Sequence, residues 1–189
     1  MTKTIYLQKI GDIEPGILII LKKNLKWFFK KCHLKVVILP DLFTLLDSEF
    51  VSEKKKYNAR KIRKRLITHG KNKNYYRILG VMNCDIFTKP SKFLHGVADP
   101  PKNKSFGGAL ISVIRLREEF YRRTENIAQF EQRVLKVAIH ELGHTFGLEH
   151  CENLCVMRSS NSLVDTDIKP RDFCEICLQK LNNYLSDSA

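Results

Sequence analysis

The stretch from His140 to His150, HELGHTFGLEH, puts three imidazoles within eleven residues, with a carboxylate between the first two. His140 and His144 are four apart, so on an α-helix they lie about 40° apart on one face, one turn above the other, as two ligands of one zinc ion must. Glu141 falls about 100° round the helix from His140, where it can reach a water on the metal rather than the metal itself. That is the position of a general base. His150 is six residues past His144 and, on a continuing helix, would be rotated by about 240° and carried about 9 Å along the axis. The helix must therefore stop first. Gly147 offers the stop, because a residue without Cβ can take the left-handed conformation that turns the chain back and brings His150 to the metal. Three histidines leave one coordination position for water.

An HExxH match alone arises by chance in arbitrary helices, and most such histidines are surface or core residues. Here the match extends to HExxHxxGxxH with Met157 downstream, the metzincin pattern with its Met-turn. Met157 is expected to form a hydrophobic floor beneath the histidines, a role that overlaps with ordinary core packing. Cysteines follow in two close pairs, Cys151 with Cys155 and Cys174 with Cys177. They could form two disulfides, stay as four reduced core thiols, or close a tetrahedral zinc site, and reduced thiols at this spacing favour the metal.

The run HELGHTFGLEHCENLCVM followed by FCEIC resembles the archaemetzincins, a family of zinc metallopeptidases. Three residues separate Cys151 from Cys155 and sixteen separate Met157 from Cys174, each gap one residue shorter than in the family pattern. The resemblance implies zinc-dependent hydrolysis of a peptide or protein substrate. His140, His144 and His150 would hold a catalytic zinc, and Cys151, Cys155, Cys174 and Cys177 a second, structural one. It further implies an edge strand beside the zinc cleft that pairs with an extended substrate. Residues 93 to 98 are assigned that job, with Leu94, His95, Gly96 and Val97 as substrate-binding residues, and a lone histidine there is expected to be exposed. The competing reading is a non-catalytic, zinc-stapled module that engages nucleic acid or a protein partner through a basic surface. Glu141 discriminates, since a structural site needs only ligands whereas an acid beside the water position has its use in chemistry.

The frame that must position these residues is bounded by 189 residues, 43% hydrophobic and 28% charged, which suffice for one core plus a small metal-stapled unit. A formal net charge of +13 raises the question of a polyanion partner. The charges are scattered, however, and no specific nucleic-acid partner is expected; Arg60, Lys61, Arg63, Lys64 and Arg65 are the best candidate patch and are read as solvated. No apolar run approaches a membrane span, and ILIIL at 17 to 21 is followed by lysines. The N-terminus MTKTIYLQKIG has no apolar signal region, so a cytoplasmic location is expected, with a monomer as the working assembly.

Alternation predicts a strand over 3–9, and Pro15 opens a helix running to Phe29 with Leu18, Leu21, Leu25 and Phe28 as its buried stripe. Trp27, Phe28 and Phe29 are read as core. LKVVILP, 34–40, predicts a parallel strand buried on both faces. A loop over 41–55, a basic helix over 57–70, a strand over 75–87, an edge strand over 93–101 and a last strand over 107–116 follow. Residues 124 to 147 form the long helix that delivers His140 and His144, with Ile127, Phe130, Val134, Val137 and Ala138 as core contacts. Little regular structure is expected after His150 until a helix over 171–185 that opens with Cys174 and Cys177. The expected fold is α/β (α+β), metzincin-like: a mixed, mostly parallel sheet with packed helices over residues 1–147, then a small irregular zinc-stapled subdomain over 148–189.

Overall fold

The structure is a computed structural model that describes residues 3–89, 94–101 and 105–186. Its chain runs β1 (Thr4–Ile10), α1 (Pro15–Phe28), β2 (Lys35–Ile38), β3 (Phe50–Val51), β4 (Lys56–Asn58), α2 (Ala59–Asn72), β5 (Arg77–Met82), β6 (Ile86–Phe87), β7 (Gly96–Ala98), β8 (Gly107–Ser112), α3 (Ile127–Thr145), α4 (Leu163–Ile168) and α5 (Glu175–Ser186). The main sheet has the order β2-β1-β5-β8-β7, parallel except for β7, which runs antiparallel to β8 at one edge. A small second sheet has the order β3-β4-β6.

Helices cover both faces of the main sheet, which is why β5 and β8 are buried at every position. Leu79, Val81, Ala109 and Ile111 point into the core shared with α1 and α3. Ile78, Met82 and Leu110 point the other way, against Ala59, Ile62 and Leu66 of α2. The expected stripe of α1 is buried at Leu18, Leu21 and Leu25.

Several expectations are corrected by position in the sheet. β2 is buried on one side only, at Val36, because it is the outermost strand and leaves Val37 39% exposed. The run over 75–87 breaks at Asn83 into β5 and β6, which belong to different sheets. The 41–55 segment holds β3 and short 3-10 turns rather than loop alone. Trp27 is not core but lies on the surface with the Arg171 guanidinium over its ring, and Ile127, at the first turn of α3, is likewise exposed. The short helix α4 was not expected at all, although Ser162, whose side chain accepts from the Asp165 N–H, begins the S-x-x-D signal that marks a helix start.

Candidate active site

Asn126 caps α3 by accepting from the Gln129 N–H, and the helix then runs 19 residues to Thr145. It ends in paired bonds, Gly147 N–H to His144 O (3.0 Å) and Leu148 N–H to Gly143 O (3.1 Å), with Gly147 at φ +80°. This is the Schellman geometry that a left-handed glycine permits. The turn brings the His150 ring to centroid distances of 5.3 Å from His140 and 5.0 Å from His144. One nitrogen of each of the three rings lies within 4.8 Å of the others.

Backbone carbonyls fix the rings. His140 Nδ1 is 2.9 Å from Val156 O and His144 Nδ1 is 2.7 Å from Leu148 O. A carbonyl only accepts, so both Nδ1 atoms carry the proton and donate. Burial pushes the His140 pKa down to about 3, with Lys169 and His144 adding to the effect, and burial also lowers that of His144. Both rings are therefore neutral, and both Nε2 atoms are bare lone pairs. They face each other at 3.1 Å. Two bare acceptors at that separation repel unless a cation lies between them, and a tetrahedral zinc with N bonds of about 2.0–2.1 Å would set them about 3.3 Å apart. The histidine cluster fits a metal, and the carbonyls supply the orienting contacts that metal-binding histidines ordinarily have.

Glu141 is 6% exposed, and among the described residues nothing donates to its carboxylate. Burial pushes its pKa up to about 8, against the pull of Lys169 and Arg63. The edge strand closes over it: a Cβ at Gly96 would lie 2.6 Å from Glu141 Cγ and Oε1. Met157 lies fully buried beneath the helix against Gly143, where any Cβ would collide with its sulfur. Gly143 was not singled out from the sequence, though a glycine in a helix interior costs about 1 kcal/mol and signals such a contact.

A cleft of about 570 Å³ opens over this cluster. Leu94, His95, Gly96 and Val97 form one wall, and Ser159, Ser160, Asn161 and Lys169 belong to another part of its lining. The expected edge strand is thus in place as β7, while Phe93 lies outside the described residues. His95 is the correction: it is 8% exposed rather than on the surface, and burial lowers its pKa to about 4. Lys169 gave no signal in sequence, since a lysine before a proline marks nothing. It is nonetheless 4% exposed, and burial lowers its pKa to about 8.

The proposed basic patch is largely committed. Arg65 grips buried Glu49 through two bonds of 2.9 Å and stacks on Phe43, Lys61 donates to Ser48 O, and Arg63 donates to Ala98 O at the end of β7 while pairing with Asp99 at 2.8 Å. Of the five, only Arg60 and Lys64 fit the solvated reading in full.

The four cysteines converge behind the site, their sulfurs within 4.8 Å of one another, despite the two shortened gaps. Cys174 lies just before α5 rather than within it. Cys151 and Cys174 Sγ are 3.8 Å apart, the edge of a tetrahedron with Zn–S bonds of about 2.3 Å. Cys155 Sγ accepts the backbone N–H of Met157 (3.4 Å) and Cys174 (3.3 Å). The Cys177 N–H bond draws the Cys174 thiol down to about 6, whereas burial pushes Cys177 well up. Only a cation would let all four ionise together.

Arg133 joins α3 to the cleft wall. Its side chain is 2% exposed and donates to both oxygens of Asp167 at 2.6 Å, to Glu118 at 2.7 Å and to Leu116 O at 3.0 Å. Arg133→Ala removes the buried guanidinium that clamps Asp167 to Glu118, leaving Asp167 only Gln129 and Glu118 only Arg123, and should cost about 1.5–3 kcal/mol, read as a fall in the urea midpoint. A change below about 1 kcal/mol would mean that α4 is held by other contacts.

Helix, turn and cleft are those of a metallopeptidase, and comparison with known proteins narrows the class. Residues 30–183 match the model of Peptidase family M54. The chain is 37% identical over 190 residues to an archaemetzincin of Pyrococcus abyssi, covering 100% of this chain and 99% of that one, and 38% identical over 185 residues to one from Methanocaldococcus jannaschii, covering 97% and 95%. A crystal structure of archaemetzincin from Archaeoglobus fulgidus superposes with a TM-score of 0.78 at 32% identity, covering 94% of this chain and 99% of that one. A zinc-dependent peptidase from Methanocorpusculum labreanum gives 0.81 at 26%, again covering 94% and 99%. This chain belongs to peptidase family M54, the archaemetzincins, and is a hydrolase of the zinc metallopeptidase kind. Among the described residues no helix is long and apolar enough to cross a membrane.

Proposed function

We propose that the chain cuts peptide bonds with a catalytic zinc held by His140, His144 and His150, and that Glu141 is the general base. Zinc held by these three histidines would supply Lewis-acid polarisation of the scissile carbonyl and would make a water available as hydroxide near neutral pH. Glu141 accepts a proton from the attacking water and returns it to the leaving amine; burial alone pushes its pKa up to about 8, and a zinc cation beside it would draw it back down and leave the carboxylate free to act as a base. β7 lies at the sheet edge, so an extended substrate can add to it as a further strand beside the histidines. Met157 supports the site from below.

The observation that carries this reading is the pair of Nε2 lone pairs facing each other while each Nδ1 is committed to a carbonyl. Cys151, Cys155, Cys174 and Cys177 are proposed to hold a second, structural zinc. We further propose a division at 147/148, a monomer, a cytoplasmic location and only weak, salt-sensitive association with nucleic acid. The patch's committed arginines favour that last point. Protein purified without added zinc should carry two equivalents per chain by metal analysis. One equivalent or less, with four freely reactive thiols, would contradict the assignment.

A further inference from the structure

We propose that Lys169 and Ser160 form a carboxylate-recognition subsite, so that the enzyme selects peptides bearing a free carboxylate beside the scissile bond, on an acidic side chain or at the C-terminus. The inference rests on the peptidase reading of the same cleft. Lys169 ends α4, its backbone N–H bonded to Asp165 O at 3.2 Å, and its side chain lines the cleft with His140 and Glu141. Its ammonium donates once, to Arg158 O at 3.3 Å. Two of the three donors an ammonium carries therefore have no acceptor among the described residues. A charge buried to 4% exposure with one neutral acceptor and no ion pair is costly.

The nearby acids are occupied elsewhere. Asp165 accepts the Asn161 N–H, Asp167 is held by Arg133 and Gln129, and Glu118 by Arg133 and Arg123. Glu141, the remaining acid of the cleft, makes no salt bridge with Lys169. Ser160, two residues from the carbonyl that anchors Lys169, has a buried Oγ with no hydrogen-bond partner. A carboxylate carries two acceptor oxygens, one for the ammonium and one for the hydroxyl. The +13 net charge draws such a substrate in from a distance. If Lys169 served only to tie its own loop to Arg158, removing its charge would alter stability but not the choice among peptides.

The test uses zinc-loaded Glu141→Gln protein, expected to hold peptide without cutting it, and calorimetric titration with matched peptides. These differ by Glu against Gln at each central position in turn, and by a free-acid against an amidated C-terminus. The acidic member should bind about ten- to a hundredfold tighter, as a hydrogen bond to a charged group allows. Which pair shows the preference identifies the source of the carboxylate. Lys169→Met in the same background should bring the ratio to about one, Lys169→Arg should retain it, and Ser160→Ala should reduce it. Equal affinities for acid and neutral peptides, or a preference untouched by Lys169→Met, would overturn the proposal. So would Lys169→Met in the Glu141 enzyme slowing turnover equally on acidic and neutral peptides, which would place the lysine on the reacting carbonyl instead. The two readings fail separately. Acid-selective binding that depends on Lys169, in a protein that cuts nothing, sinks the peptidase reading alone; hydrolysis without acid preference sinks only the subsite.

Discussion

Glu141→Ala protein, fully loaded with zinc, should lose peptide hydrolysis by at least about 10²- to 10⁴-fold, the usual worth of a positioned acid–base group. It should do so while keeping two equivalents of metal and its fold. His140 and His144 aim their Nε2 atoms at a shared point, whereas Glu141, one residue on, lies against Gly96 and accepts no bond from any described residue. Removing it deletes proton transfer without deleting a ligand. His144→Ala should behave differently and lose the histidine-bound metal together with activity. Because nothing in the cleft spells out a full cleavage sequence, the assay is a mixed peptide library read by mass spectrometry. Cleavage by the wild type no greater than the Glu141→Ala background would end the case for general peptidase activity.

Cys177→Ser should have the largest effect on stability. Cys177 is 5% exposed on the first turn of α5, one turn before Leu181 in the main core. A closed thiolate site contributes on the order of 10–16 kcal/mol apparent in isolated zinc-finger peptides. A serine cannot replace the fourth thiolate, so the variant should release one zinc and expose the remaining thiols to alkylation. Hydrogen exchange should show α5 and the segment 151–157 opening before the sheet does. A variant that kept two zinc ions and the wild-type urea midpoint would show that the sulfurs are packing groups only.

The parts legible in sequence are those whose signals are local and strong. The spacing of His140, Glu141, His144, Gly147 and His150 required a helix, a left-handed turn and a return, and the structure has all three. The parallel crossover from β1 through α1 to β2 was equally readable. What sequence could not supply was place in the sheet. The same run of β-branched residues fits a central strand or an edge, and only the strand order leaves Val37 exposed. His95 reversed in the opposite sense, because the cleft wall that covers it comes from distant segments. Lys169 was invisible for that reason too: it is buried in a cleft it shares with β7, α3 and residues 159–161, none of them adjacent to it in the chain.

Three consecutive residues, Cys155, Val156 and Met157, serve three different structures. The first offers its thiol to the sulfur cluster, the second its carbonyl to His140, and the third its thioether to the underside of α3. An ion that draws the sulfurs together therefore also fixes the carbonyl that aims a histidine, and an ion among the histidines holds that same backbone in return. Ions bound in both clusters would thus be thermodynamically linked. Such coupling is reciprocal by necessity, commonly about 1–3 kcal/mol or about 5- to 150-fold in affinity. Under metal scarcity the loss of either ion would then loosen the one that remains, so that fold stability and catalytic competence would shift together with the zinc concentration.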